Sequence, residues 1–219
     1  MHDYQVKFET LAIGDRDYRI RSLLDRQQYS DPDGTAERAG IAPAMWPIFG
    51  LVWPAGVFLA QTMATFAQRG KRILEVGCGL ALASLVLHHR GADISSTDLH
   101  PQAANFLREN LLLNLLPPLV HHAGSWSDTI PQLGRFDLII GSDLLYEPEH
   151  PGLLAHFIDR HAHDRAEVII VDPGRGYHNK FGREMTALGY HHETEWSDLQ
   201  PVRASLRRGR VLNYRREVR

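Results

Sequence analysis

Two small groups of residues carry the clearest chemical promise. Gly77-Cys78-Gly79 closes the apolar run "RILEV", and Asp98, 21 positions after Gly77, closes a second run, "ADISSTD". Glycine at a strand end lets the backbone turn tightly and approach a ligand with no Cβ in the way. A carboxylate at the end of the next strand can accept hydrogen bonds from both hydroxyls of a ribose. Glu75 sits inside the first run. A charge in an apolar strand is costly unless it is paired. Glu75 therefore fixes the amides of the glycine loop, takes a hydrogen bond from a ligand amino group, or forms a salt bridge at the rim.

The spacing also excludes some ligands. A dinucleotide fingerprint needs a third glycine at position 82, which is Leu, and no Lys-Ser or Lys-Thr follows to make a phosphate-binding loop. Leu82 thereby disfavours a nicotinamide-dependent oxidoreductase. A ligand with ribose and adenine but no phosphate fits better, and S-adenosylmethionine is one. The histidine doublets 88/89, 121/122 and 191/192 cannot serve one metal, because adjacent residues point to different faces. With no cysteine cluster or HExxH pattern beside them, no metal site is expected.

These residues need a scaffold that brings strand ends together. Residues 1–25 alternate as a β-hairpin turning at Gly14-Asp15, and the polar stretch 27–45 reads as a mobile loop. A helix is expected from about Ala55, entered through Pro54. From Arg72 onward, strand and helix alternate. Strands fall at 72–77, 92–98, 119–122, 136–143 and 167–172, with "FDLIIGSD" the most apolar and central. Such alternation demands parallel strands with helices on both faces. Strands near 190–196 and 210–217 have no helix between them and should pair antiparallel. The fold class is thus α/β, Rossmann-like, with seven main strands, an antiparallel last strand and an N-terminal hairpin. The domain reading is a single unit over 1–219, with 1–48 as extension and 49–219 as core.

At this point "ILEVGCG", "SSTDLH" and "FDLIIGSDLLYEPE" resemble the seven-β-strand S-adenosylmethionine-dependent methyltransferases. More narrowly, the chain is similar to the methyltransferase-like family that includes many non-histone protein lysine methyltransferases. The closer likeness rests on "GLVWPAGVFLAQ", on Trp126, and on Asp143-Leu144-Leu145-Tyr146, which fits the family's [D/E]-x-x-[Y/F] signature. The resemblance covers about Phe49 to Pro173. It implies that Trp53 meets the cofactor from the N-terminal side, that Gly77, Cys78 and Gly79 line its methionine portion, and that Asp98 holds the ribose. It further implies that Trp126 borders the adenine and that Ser142 touches the cofactor from the fourth strand. Asp143 and Tyr146 would face the substrate. Ala81 and Ser84 stand where the family often has glycines. Both are small, so cofactor binding should survive.

The implied reaction is N-methylation of a protein lysine, with a small-molecule amine or a protein arginine as alternatives. A cofactor-binding scaffold without turnover is disfavoured by the Asp143/Tyr146 pair. Lysine arrives mostly protonated, with a free pKa of ~10.4. Asp143 is expected to capture and orient the amine, with the proton leaving to water, while Tyr146 walls the channel. Arg175 either meets an acidic substrate surface or plays a structural part, capping a helix or pairing with a nearby carboxylate. Residues 203–219 hold seven arginines and one glutamate within a chain of net charge -2, which reads as a solvated face or as a rim for an acidic partner. The Asn-Pro-Pro-Tyr type sequence used on nucleobases is missing, so no nucleic acid is expected. Nor is a membrane, because no apolar run approaches the ~20 residues needed to cross one. The single cysteine, Cys78, forbids an internal disulfide. With an N-terminus unlike a signal peptide, the expectation is a cytoplasmic monomer.

Overall fold

The computed structural model describes residues 4–193 and 209–217. β1 (Val6–Ile13) and β2 (Arg16–Leu23) pair antiparallel across a two-residue turn. Gly14 takes the left-handed conformation that such a turn requires, with φ +63°. The turn is held from α2 (Pro54–Thr65): the Gly14 N–H donates to Gln61 Oε1, and Gln61 Nε2 donates to the Ala12 carbonyl.

The stretch between hairpin and α2, expected as a mobile loop, is instead folded. Asp31 explains why. Its buried carboxylate accepts the N–H groups of Ala36 and Glu37 at 2.9 Å each, starting the single turn α1 (Thr35–Arg38). Burial works against ionising Asp31, but those amides and Thr35 outweigh it and hold its carboxyl below the usual range. Two 3-10 turns follow, Pro43–Met45 and Ile48–Gly50. The span Pro43–Thr65 has 23 residues, apolar and long enough by count to cross a bilayer. By length and composition it departs from the expectation that no run approaches that length. In the fold it is broken, with two 3-10 turns and extended residues leading into the 12-residue α2.

The main sheet holds β3 (Arg72–Val76), β4 (Asp93–Asp98), β5 (Val120–Ala123), β6 (Phe136–Ser142), β7 (Ala162–Asp172), β8 (His191–His192) and β9 (Arg210–Arg216). Their order is β5-β4-β3-β6-β7-β9-β8. β6 is central, as its apolar run suggests. β9 inserts antiparallel between β7 and β8, so the expected pairing of the last two strands holds. β8 was read as far as residue 196; residues past 193 lie outside those described. Helices α3 (Leu82–His89), α4 (Ala103–Leu113), α5 (His150–His161) and α6 (His178–Ala187) complete the fold.

Strand alternation feeds two cores. Ile73, Leu138, Ile140, Ile169 and Val171 face α2, α3, α4 and the hairpin. Leu74, Val76, Ile139, Val168 and Ile170 face α5 and α6. β7 starts five residues earlier than "EVIIVD" suggests. Ala162 is buried, but the three residues after it are exposed and polar, and a bulge separates Phe136↔Ala162 from Leu138↔Glu167. Arg216 ties this early part down by donating to the carbonyls of His163 and Asp164. Strand order reverses between the paired β3 and β6, so the connections on either side leave in opposite directions. In open α/β sheets, ligands bind beyond the carboxyl ends at such a point.

Candidate active site

A cavity of about 560 Å³ lies beyond the ends of β3, β4 and β6. All ten residues expected to meet cofactor or substrate line it: Trp53, Glu75, Gly77, Cys78, Gly79, Asp98, Trp126, Ser142, Asp143 and Tyr146.

The floor is the turn after β3. Gly77 and Gly79 have φ +57° and +51°, conformations that L side chains rarely adopt. Space forbids side chains there as well. A Cβ on Gly77 would sit 2.5 Å from Leu144 Cδ2, and one on Gly79 would sit 2.9 Å from the Phe49 carbonyl oxygen. Ala81, at a family glycine position, is also left-handed at φ +57° and starts α3. Cys78 is only partly as expected. Its N–H donates to the Thr97 carbonyl, and its buried sulfur turns toward His121 Nδ1 at 4.0 Å. Burial, with Asp98 and Glu75 close by, pushes the thiol well up, so it is inert at neutral pH.

Glu75 comes nearest the first of its readings, but the amide it binds belongs to α3 and not to the glycine turn. Its Oε2 accepts both the backbone N–H and the hydroxyl of Ser84, in the first turn of α3. A carboxylate there satisfies an orphan amide and complements the helix dipole. Burial still dominates and pushes Glu75 up to about 7, against the pull of the Ser84 hydrogen bonds.

Asp98 Oδ2 accepts the Gly79 N–H at 2.8 Å, and Oδ1 accepts the His100 N–H at 2.7 Å. These two bonds brace the glycine turn against β4. Each oxygen keeps a second lone pair, so the carboxylate can still accept two hydroxyls. Burial raises its pKa, opposed by the amides of His100, Gly79 and Leu99.

Trp126 and Trp53 wall opposite sides, both half-buried. The loop of Trp126 is pinned from α5, where Arg160 Nη2 donates to the Trp126 carbonyl at 2.6 Å. Trp53 Nε1 donates to the Ile48 carbonyl, which fixes its ring. Ser142 ends β6 beside Gly56 of α2.

Asp143 follows in a left-handed conformation, φ +55°, with its N–H donating to the Val171 carbonyl. Its carboxylate is clamped. Arg175 Nε donates to Oδ1 and Nη2 to Oδ2, both at 2.8 Å. Of the two sequence readings of Arg175, the structure selects the carboxylate pair. The hydrogen bonds it donates to Asp143 raise the guanidinium's pKa further. Tyr146 lies alongside, its phenol pushed up to about 12 chiefly by burial and then by the Asp98, Asp143 and Glu147 charges.

His150 was missed from sequence. Its ring meets Tyr146 edge-on at 4.5 Å and Trp126 at 5.2 Å, and its Nδ1–H donates to the Leu144 carbonyl. The i, i+4 spacing from Tyr146 was the available signal, hidden because the helix begins only at His150. Leu144 was missed too. It fills the space that a Cβ on Gly77 or Gly141 would need. Among the described residues no group of three His, Cys, Asp or Glu side chains could hold a metal ion.

The geometry suits an adenosine-like ligand: a glycine cradle, a carboxylate with spare lone pairs, and indole walls. Comparison with known proteins gives the same grouping. The family described as lysine methyltransferase matches residues 46–181. The electron transfer flavoprotein beta subunit lysine methyltransferase of Xenopus laevis is 30% identical over 141 residues, 61% of this chain and 56% of that protein. Protein N-lysine methyltransferase METTL21A of Danio rerio is 35% identical over 118 residues, 49% of this chain and 53% of that protein. The chain spans about half the length of these curated relatives. Among solved structures, the Thermus thermophilus 16S rRNA N2 G1207 methyltransferase in complex with AdoMet and guanosine shares the fold. It has TM-score 0.64 at 14% identity, covering 97% of this chain and 51% of that one. Magnesium protoporphyrin IX methyltransferase from Synechocystis follows at TM-score 0.55 and 18% identity, with 74% of this chain and 81% of that chain covered. The family match takes in the glycine turn, Asp98, Trp126 and the Asp143–Tyr146 signature over more than half of the sequence, and this chain belongs to the lysine methyltransferase family.

Proposed function

We propose that this protein transfers a methyl group from S-adenosylmethionine to the ε-amine of a lysine in a protein substrate. The observation that carries the reading is one cavity holding both the braced Gly77–Gly79/Asp98 cradle and, at its mouth, the Asp143/Tyr146 pair. Relatives named protein N-lysine methyltransferase support the choice of acceptor.

When bound, S-adenosylmethionine supplies a methyl group activated by a sulfonium charge. The chain's own residues do the rest by alignment and exclusion of water. Asp98 would take the ribose hydroxyls, Trp126 would border the adenine, and the Gly77–Gly79 backbone would lie against the methionine portion. Cys78 contributes its backbone there. Ser142 and Trp53 close the sides. Tyr146 keeps its proton at neutral pH and presents a neutral ring to the aliphatic end of lysine and to the methylated cation.

The clamp on Asp143 revises the role first expected for it. A lone carboxylate would hold lysine as the cation, which cannot attack. Shared with Arg175, Asp143 orients the arriving nitrogen while binding its charge less tightly. Desolvation then favours the neutral amine, and the proton leaves to water. Glu147 and Glu149 also line the cavity. They attract a cationic side chain and repel phosphate, which favours a protein over a nucleic acid as substrate. We take the chain to act as a cytoplasmic monomer.

The test is incubation of the purified protein with cell extract and methyl-labelled S-adenosylmethionine, followed by mass spectrometry. Labelled protein carrying methyl-lysine is the expected result. Label confined to small metabolites, or to arginine, would overturn the acceptor assignment.

A further inference from the structure

Five carboxylates line the cavity: Glu75, Asp98, Asp143, Glu147 and Glu149. A sulfonium and an ammonium are at home in such a wall. A ligand carboxylate is not, and S-adenosylmethionine carries one at the end of its methionine arm. It needs a cation. Of the two guanidinium groups in the wall, Arg175 is committed in both its forked bonds to Asp143. The two imidazoles are poor substitutes. Burial drives His100 down to about 4, which leaves it neutral. His150 is held by the Leu144 carbonyl on the far side, between Tyr146 and Trp126.

The remaining cation is Arg26. Its guanidinium carbon lies 4.9 Å over the ring of Trp53, and it lines the cavity. Among the described residues no carboxylate pairs with it. Its neighbour Asp25 is turned back on the Gln27 N–H and the Gln28 side-chain amide. Trp53 is a fixed shelf because its Nε1 is tied to the Ile48 carbonyl. Stacking on an indole leaves the edge of a guanidinium, with its forked N–H donors, free to face a carboxylate.

Resting on the methyltransferase reading above, we infer that Arg26, supplied by the segment between β2 and α1 and stacked on Trp53, is the counter-ion of the methionine carboxylate of S-adenosylmethionine. The residue lies outside the part of the chain that the family description matches, 46–181. The N-terminal extension thus contributes to the cofactor site by charge as well as by shape. Ile41 and Met45, from the same extension, stand in the same wall.

Titration calorimetry with two compounds that differ only in the carboxylate, S-adenosylmethionine and decarboxylated S-adenosylmethionine, tests this. Arg26→Gln should weaken binding of the first by roughly tenfold or more, the scale of a charge-assisted pair. It should leave the second within about twofold of the unsubstituted protein. Arg26→Lys should recover a good part of the loss. Arg26 is exposed, so neither change threatens folding, and unfolding midpoints measured alongside should agree. Equal weakening of both compounds would make Arg26 a mere prop for Trp53 and overturn the inference, as would no weakening of either. If the unsubstituted protein binds neither compound, the methyltransferase reading itself falls.

Discussion

At the scale of single residues, Asp143 and Glu75 separate what the sequence could convey from what it could not. Both are carboxylates at or near strand ends, and both were legible as costly unless employed. Their partners were not legible, because Arg175 and Ser84 come from elements whose relative placement depends on the whole sheet. The Arg175 clamp has a measurable consequence. Asp143→Ala should lower kcat about tenfold or more with little change in S-adenosylhomocysteine affinity, since Asp98 and the glycine turn are untouched. Arg175→Ala frees Asp143 to hold lysine as the cation, so its activity should recover as pH rises toward the lysine pKa. A pH–rate profile of that variant checks it. Glu75 yields a stability prediction. Its folded pKa, about 7, lies above its ordinary 4.5. The fold therefore favours the protonated form. That contribution is complete below about pH 4.5 and is lost as pH climbs through 7. Measured without added ligand, Glu75→Gln should track the unsubstituted protein's stability in acid and exceed it by about 3 kcal/mol near pH 8. Parallel denaturation curves at both pH values test this.

At the scale of elements, periodicity located the helix after Pro54 and most strands, because burial on one face imposes a repeat. It failed where the determinant was not burial. Residues 27–45 look like solvent-facing loop by composition, yet the Asp31 carboxylate organises them through backbone N–H groups. The early part of β7 is polar and bulged, held by Arg216. The outer edge of β2 has a similar hidden device. Asn110 of α4 accepts the Arg21 N–H and donates to the Arg21 carbonyl, and Asn114 does the same for Arg19. Two side-chain amides thus stand in for a neighbouring strand. Asn110 is fully buried, so Asn110→Ala leaves two backbone groups unpaired. It should cost about 2–3 kcal/mol in denaturant unfolding. Asn114→Ala, nearer solvent, should cost about 1 kcal/mol. The glycine turn is equally exacting. Gly79→Ala combines left-handed strain of about 1–2 kcal/mol with a clash on the Phe49 carbonyl. It should lower the thermal midpoint by about 4 °C or more and weaken S-adenosylhomocysteine binding.

At the scale of the whole molecule, the parallel sheet was readable from alternation alone, while its strand order, and with it the switch point between β3 and β6, came only with the fold. The dependence of the core on the N-terminal extension was not readable either. Ile13, Tyr18, Ile20, Leu23 and Tyr29 are all buried in the same cluster as α2, α3 and α4. At about 1.5–3 kcal/mol each, their loss rivals the entire stability of a typical domain, about 5–15 kcal/mol. A chain shortened to begin at residue 46, where the family match starts, should therefore fail to fold cooperatively, as calorimetry would show. The basic C-terminal segment also reads differently once folded. Arg215 bridges Glu167 and Glu193, Arg216 meets Asp159, and Arg210 contacts His178. These three arginines are bound within the protein; 203, 207, 208 and 219 lie outside the described residues. The Arg160 tie to the Trp126 carbonyl has a kinetic corollary. With the indole side fastened to α5, the way in and out is expected past the flap 39–49, seven of whose residues line the cavity. Association and release should then be gated by brief openings of that flap. In hydrogen–deuterium exchange, saturating S-adenosylhomocysteine should slow its amides far more than those of 124–128.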